Sequence, residues 1–391
     1  MPVRCLATPG KLTHMKRSTD RILTTHAGSM IRPPEVLALR PDSDEQTRTS
    51  TLRTAVTEVV RKQADVGVDM VSDGEFGKES WFTYVMRRLD GYEVRPVEKP
   101  AIGFLGRDET CYPDFFATSG MDGLGAQQHV CVRPLRYIGK AAMQRDVDNL
   151  LSALQTVQVE GAFLPVVAPT SISVDHTNEY YASHQEYLAA LADALHEEYR
   201  TITDAGLIVQ LDDAILTHFY DRMQAEGRDY RKWVAQSVEV INHALRGIPE
   251  EQVRYHVCWG SWPGPHTSDV PLREIVDLIL KVNAQAYSIE AANPRHEWEW
   301  TVWQDVKLPD GKILLPGVIS HAISHVEHPE LIAQRLRRFG SLLGRENVIA
   351  SSDCGFAQGA GTQRQVPSIV WAKLAALAEG ARLASREPLH A

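Results

Sequence analysis

LIVQLD (207–212) and VRYHVCW (253–259) are short apolar runs whose last residues can ionise or bind a metal, and a helical pattern at 229–247 lies between them. Aliphatic and β-branched residues over six or seven positions, bounded by polar residues, read as strands buried on both faces. Strand, helix, strand is the unit of a parallel sheet. Six further runs repeat it: ILTTHAG (22–28), DMVSDGE (69–75), AFLPVVA (162–168), AYSIE (286–290), ILLPGVI (313–319) and NVIASSD (347–353). Helical patterns at 45–66, 183–205, 271–283, 329–343 and 365–385 fall between most of them. Eight such strands predict an α/β chain folded as a (β/α)8 TIM barrel, whose active face is the C-terminal rim of the strands.

One region departs from the alternation. Residues 90–160 carry glycines, prolines and strand-like pieces (YEVRP, HVCVRPLRYIG), which reads as an insertion between the second and third strands, a hairpin over the barrel mouth. Residues 1–14 read as a loose extension, leaving 15–391 as a single barrel domain. The chain has 391 residues with 43% hydrophobic and 23% charged, enough apolar surface for a full core. A net charge of −9 argues against a broad phosphate-binding face, so no nucleic-acid partner is expected. The N-terminus lacks an apolar leader and no run reaches the length of a membrane span, so no membrane partner is expected either. Five scattered cysteines (Cys5, Cys111, Cys131, Cys258, Cys354) suit a reducing cytoplasm and raise the question of metal.

His256 and Cys258 lie two apart at the end of a strand, so both side chains face the same way. Imidazole with thiolate is a good zinc pair, though the motif alone is weak. Glu290 closes AYSIE and Cys354 sits in SSDCGF, two further strand ends. A carboxylate there is costly to bury without a partner or a metal. The four together offer one nitrogen, two sulfurs and an oxygen. Cys111 and Cys131 read as small buried hydrophobes.

Seven segments, TTHAGS (24–29), VSDGE (71–75), VQLDD (209–213), YHVCWG (255–260), SIEAANPRHEWEW (288–300), LPGVI (315–319) and SSDCGF (351–356), stand in the order seen in the cobalamin-independent methionine synthases. The chain resembles the catalytic C-terminal barrel of that family, whose relatives include the epoxyalkane:coenzyme M transferases. The resemblance implies Zn2+ on His256, Cys258, Glu290 and Cys354. It places Gly28 and Ser29, with His26 in the same turn, at the carboxylate of an amino-acid thiol, and Glu75 and Asp212 at its ammonium. The family's acidic histidine follows the LPGV strand. A gapless match puts Ala322 there, with His321 and His325 both near enough to serve, and Asp212 counts with them among catalytic groups. The implied partners are a small thiol, leading to methionine biosynthesis if it is homocysteine, and an alkyl donor; a homo-oligomer is compatible with the sequence.

Zinc would hold the acceptor as a thiolate, Glu290 would yield as the sulfur enters, and a histidine would protonate the leaving group. Asp353 and Asp73 read either as groups orienting the ligands or as strand-end caps. Trp259, Trp262, Trp298 and Trp300 read as rim packing or as a pocket wall, and Arg295 and His296 as an anion contact or salt-bridge partners. Two other classes compete: a metal-free lyase barrel like uroporphyrinogen decarboxylase, against which the HxC and DCG motifs argue, and a non-catalytic zinc-binding barrel.

Overall fold

The computed structural model describes residues 14–40, 43–96, 106–119, 127–173, 176–260, 264–361 and 364–386. Its strands are β1 (Met70–Val71), β2 (Leu89–Pro96), β3 (Gln127–Tyr137), β4 (Gly161–Val167), β5 (His176–Asn178), β6 (Ile208–Asp213), β7 (Val253–Val257), β8 (Ala286–Ile289), β9 (Ile313–Ile319) and β10 (Ser351–Ser352). Seven of them form one sheet in the order β1-β4-β6-β7-β8-β9-β10, with every neighbouring pair parallel. The segment around Thr24 joins the two edges. Thr24 bridges Ala350 in parallel on one side, and its carbonyl accepts the Met70 N–H at 3.0 Å on the other. The sheet is therefore a ring of parallel staves with helices outside, the barrel that the alternation of runs predicts.

Capping residues place the helices. Asp44 accepts from Thr47 N at 2.8 Å to start helix Glu45–Asp65, Ser183 from Glu186 N at 3.1 Å to start His184–Asp204, and Asp229 from Lys232 N at 3.0 Å to start Tyr230–Ala244. His328 caps Pro329–Leu343, where proline at the first turn costs no hydrogen bond.

Alternate residues divide the core. Leu23, Met70, Phe163, Ile208, Ala286, Ile313, Leu315 and Ile349, joined by Met15, make one buried cluster at the N-terminal ends of the staves. The residues between them, such as Val209, Leu211, Tyr255, Tyr287 and Leu314, belong to the larger cluster under the helices. One step further along, the interior turns polar. Arg254, fully buried, stacks 3.8 Å from the Phe163 ring centroid and donates to Thr25 Oγ1 and the His26 carbonyl. The apolar plug thus closes one end of the barrel and leaves the C-terminal end for chemistry.

Some elements are shorter than the sequence pattern suggests. The run 69–75 is paired only at Met70–Val71 and the run 22–28 only at Thr24, because both leave the ring early to form turns. The helix read at 271–283 breaks into turns at Leu272–Glu274 and Val276–Ile279; no side chain caps it, and its β-branched residues at 275, 276 and 279 are poor helix formers. Within 90–160, β2 and β3 pair antiparallel, and β5, from beyond β4, adds parallel to β3. Helix Lys140–Leu154 packs on helix Glu45–Asp65 in the outer layer. The extension read at 1–14 lies, but for His14, outside the described residues.

A buried ion cluster ties the small sheet to the barrel. Arg88 donates to Asp146 at 2.7 Å and Glu198 at 2.9 Å, and the Tyr84 and Tyr137 hydroxyls donate to Glu198. Arg88→Ala leaves two buried carboxylates uncompensated, so we expect a loss of about 3–5 kcal/mol in urea unfolding. A loss below about 1 kcal/mol would show that water replaces the guanidinium at little cost.

Candidate active site

The in-register residues Asp212 on β6, His256 on β7 and Ser288 on β8 form a polar row across three neighbouring staves. His256 Nδ1 meets Ser288 Oγ at 3.0 Å, which leaves Nε2 buried without a hydrogen-bond partner. Cys258 continues the inward face of β7 two residues on, and Cys354 follows β10. Their sulfurs lie 3.3 Å apart, and one ring nitrogen of His256 and both sulfurs lie within 4.8 Å of one another. All three residues are buried.

The electrostatics are those of a metal cradle. The Cys258 thiol bonded to Cys354, with His256 beside it, holds the Cys354 thiol well below its ordinary range despite burial. Cys258 is correspondingly pushed up, first by that same bond and then by burial. Burial lowers His256, but the Cys354 sulfur outweighs it and the imidazole is held above its ordinary value. An orphaned nitrogen and two sulfurs sharing protons in a dry site suit the N/S chemistry of Zn2+, so the residues present fit that ion.

Glu290 stands beside this group, outside the three. One oxygen accepts from Trp259 N at 2.8 Å and the other from Asn293 Nδ2 at 2.7 Å. Burial pushes its carboxyl up to about 8, the charges of Asp353 and Cys354 adding to the effect and His296 opposing it. Asp353 holds the loop that carries Glu290: Oδ1 accepts from Ala291 N and Ala292 N, both at 2.8 Å. Asp73 caps its own turn by accepting from Glu75 N at 2.9 Å.

Of the residues assigned to the acceptor, Asp212 and Glu75 come together near His256. Asp212 Oδ1 accepts from Gln210 Nε2 at 2.8 Å, and Glu75 Oε2 is buried with no partner. Burial pushes Asp212 up to about 8 and raises Glu75 as well, each opposed by neighbouring cations. Glu75 itself has φ 60, a region rarely used by residues with side chains, and the Gly74-Glu75 turn directs it inward. Gly28 has φ 125, and a Cβ there would sit 2.5 Å from Pro165 Cγ and 3.2 Å from Glu75 Oε1, so only glycine lets this turn approach β4. Ser29 Oγ accepts from Ala357 N at 3.2 Å. His26 turns away from the cavity; its Nε2 meets Gln63 Oε1 at 2.7 Å and its Nδ1 accepts from Gly28 N at 3.1 Å. It braces the turn.

The two candidate acids separate clearly. His321 is buried, with both ring nitrogens unpartnered among the described residues, and burial lowers its imidazole to about 4. It shares a cavity of about 320 Å3 with Glu290, Asn293, His266, His296 and Ile323. His325 is exposed, and its carbonyl accepts from Lys373 Nζ. Ala322, at the gapless position, also lines the cavity.

Other expectations fall differently. Cys131 is buried but Cys111 is exposed, because it ends a short helical turn (Asp108–Cys111) at the protein surface. Trp259 is buried against His296 with centroids 4.6 Å apart, Trp298 is 55% exposed, and Trp300 lies under Arg338; these three do not form one wall. Trp262 lies outside the described residues. Arg295 is exposed, whereas His296 is locked between Glu299 at 2.8 Å and Asp269 at 3.1 Å. Gln210, Ser288 and Asn293 were not singled out in the sequence. The first two were findable: Gln210 shares Asp212's face of β6, and Ser288 is one step before the Ile289-Glu290 strand end, opposite His256.

A parallel α/β barrel with His256, Cys258 and Cys354 buried together at the C-terminal ends of its staves defines a class, the α/β barrels with a possible metal-binding group on the catalytic face. Residues 137–376 match the family described as the catalytic domain of cobalamin-independent synthase, and the chain belongs to that family of methionine-synthase-like transferases. It is 24% identical over 363 residues to the uncharacterized protein YxjH of Bacillus subtilis, covering 89% of this chain and 91% of that one. It is 25% identical over 297 residues to methionine synthase of Sulfurisphaera tokodaii (73% and 78% covered). With 2-hydroxypropyl-CoM lyase of Xanthobacter autotrophicus it is 23% identical over 366 residues (86% of each). The fold is also that of the B12-independent methionine synthase of a Shewanella species solved with selenomethionine, with a TM-score of 0.68, 19% identity and coverage of 94% and 98%. Among the described residues no helix is long and apolar enough to cross a membrane.

The pair of carboxylates around His296 has a consequence for stability. Burial alone would lower this imidazole, but Asp269 and Glu299 hold it up at about 10. A folded value above the unfolded one of ~6.5 stabilises the protein fully below that pH and fades up to about 10. Thermal unfolding should therefore drop between pH 6.5 and 10 more steeply in the wild type than in His296→Gln, and parallel slopes would remove the assignment.

Proposed function

We propose that this protein is a zinc-dependent thiol alkyltransferase, most simply one that moves a methyl group onto the thiol of homocysteine or a similar small amino thiol. The observation that carries the reading is the buried His256–Cys258–Cys354 group beside two carboxylates, Asp212 and Glu75, the latter with one oxygen unpartnered among the described residues. The family membership and the relatives named methionine synthase support it.

His256, Cys258 and Cys354 would hold Zn2+, with Glu290 as the fourth donor within the same wall. When bound, the ion supplies a lowered thiol pKa and a fixed position for the acceptor sulfur. Glu75 and Asp212 take the acceptor's ammonium, and the turn at Gly28-Ser29 receives its carboxylate. His321 rests neutral with both nitrogens free, so it can accept the proton that the thiol gives up. The sulfur lone pair then forms the new S–C bond. The bond from carbon to the leaving group breaks with its electrons on that group, and the proton passes to it from His321. The proton count closes without a further co-reactant.

A second reading keeps the chemistry and changes the acceptor to a thiol with an anionic head; the relative named 2-hydroxypropyl-CoM lyase favours an acceptor other than homocysteine. Buried Lys78, which donates to the Pro165 carbonyl and faces the Tyr84 ring at 4.5 Å, supports it by placing a cation near Glu75.

Metal analysis of zinc-replete protein should give about one zinc per chain, lost in Cys354→Ser; folded, zinc-free wild type would sink the proposal. Asp212→Asn should keep its zinc and raise KM for homocysteine roughly 10- to 100-fold, the worth of one charged hydrogen bond. If the variant instead left homocysteine untouched and a sulfonate thiol were the better substrate, the second reading would replace the first.

A further inference from the structure

Helix Pro367–Ala384 packs its inner face with Val370, Leu374, Leu377 and Ala381, yet the same face carries Lys373, which is 0% exposed. Its ammonium pairs with Glu327 Oε2 at 2.8 Å and also donates to the His325 carbonyl. The other oxygen of Glu327 accepts from Ser320 N at 2.7 Å, and Ser320 Oγ accepts from Ala322 N at 3.2 Å. Ser320 directly precedes His321. The loop after β9 is therefore closed on itself by one buried carboxylate and fastened to the last helix by one buried ammonium. Between the fastened ends, residues 323–326 are exposed, while His321 points inward with no hydrogen bond of its own.

A buried ion pair seldom improves stability over apolar side chains of the same size, whereas it fixes geometry well. Among the described residues His321 has no hydrogen-bond partner to set its ring position, so its placement in the cavity depends on its backbone. We propose that Lys373 and Glu327 are positioning residues that hold the loop so that His321 reaches the leaving group of the alkyl donor. This inference rests on the reading of His321 as the proton carrier. It adds two residues far from the metal ligands in sequence, one on a helix that contributes nothing else to the site.

The test compares two alkyl donors with homocysteine as acceptor and zinc-loaded enzyme: 1,2-epoxypropane, whose leaving oxygen must be protonated, and iodomethane, whose iodide leaves without a proton. The ratio of the two rates isolates proton delivery, which a loss of fold or zinc would not change selectively. Glu327→Gln/Lys373→Met leaves no unpaired buried charge and keeps an acceptor for Ser320 N. It should retain zinc, while its epoxide-to-iodomethane ratio falls at least tenfold; Lys373→Arg, which keeps the ammonium's role, should restore most of the ratio. Should the double variant not fold, Glu327→Gln alone is read in the same way. A variant with unchanged ratio, alongside a His321→Gln enzyme whose ratio collapses, overturns the positioning role and leaves the acid in place. An unchanged ratio in His321→Gln, or no epoxide product from wild type, overturns the acid reading and the clamp with it.

Discussion

A charge inside a closed parallel barrel has no water to turn to, and the rest of this structure follows from how that cost is met. The lower half of the interior avoids it with Phe163, Ile208, Leu315 and their neighbours. Above them a guanidinium is admitted only because an aromatic face, a hydroxyl and a carbonyl surround Arg254. At the rim the compensation is left incomplete: His256 Nε2, Glu75 Oε2 and both nitrogens of His321 lack partners. Unsatisfied groups are expensive in a dry site, and a native fold keeps them where something else is to bind.

Burial also decides which protons are present. It pushes Asp212 and Glu290 up to about 8 and draws His321 down to about 4, so the rim tends toward neutrality before a ligand arrives. The Cys258–Cys354 pair is the exception, with one sulfur favoured as thiolate by the other. A cation entering this group would displace protons, which would tie its binding to pH through these side chains. Loops around the rim add fixed dipoles: Asp353 gathers two backbone N–H groups and so sets the start of the segment that carries Glu290.

Much of this was legible in the amino-acid sequence. Period-two alternation in IVQLDD and VRYHV decides which residues face inward, and so puts Asp212, His256 and Cys258 in one place before any coordinates are known. Cys354 follows from the same logic at another strand end. Glu290 was legible as a rim residue, but its bonds to Trp259 N and Asn293 depend on loop geometry that has no period to read. Between His321 and His325 the sequence offers no choice, since both sit in an irregular loop; that one is buried and the other exposed depends on tertiary contacts such as that of Glu327 with Lys373, 46 residues apart. Helix 271–283 and the two short staves failed for a related reason. Apolar composition marks what is buried, while the length of an element depends on where its neighbours stop pairing.

The stave at 22–28 leads directly into the Gly28-Ser29 turn, and it is held from both sides and from within: Met70 N donates to the Thr24 carbonyl, Thr25 N to the Ala350 carbonyl, and Gln210 and Arg254 donate to the Ala27 and His26 carbonyls. A keystone set this way moves only with its neighbours, so the turn it presents at the rim is fixed by the same side chains that fill the barrel beneath it. Opening there would break bonds to Gln210 on β6 and Arg254 on β7, the staves that also carry Asp212 and His256. The barrel thereby couples the Gly28-Ser29 turn to the arc that carries Asp212, His256 and Cys258.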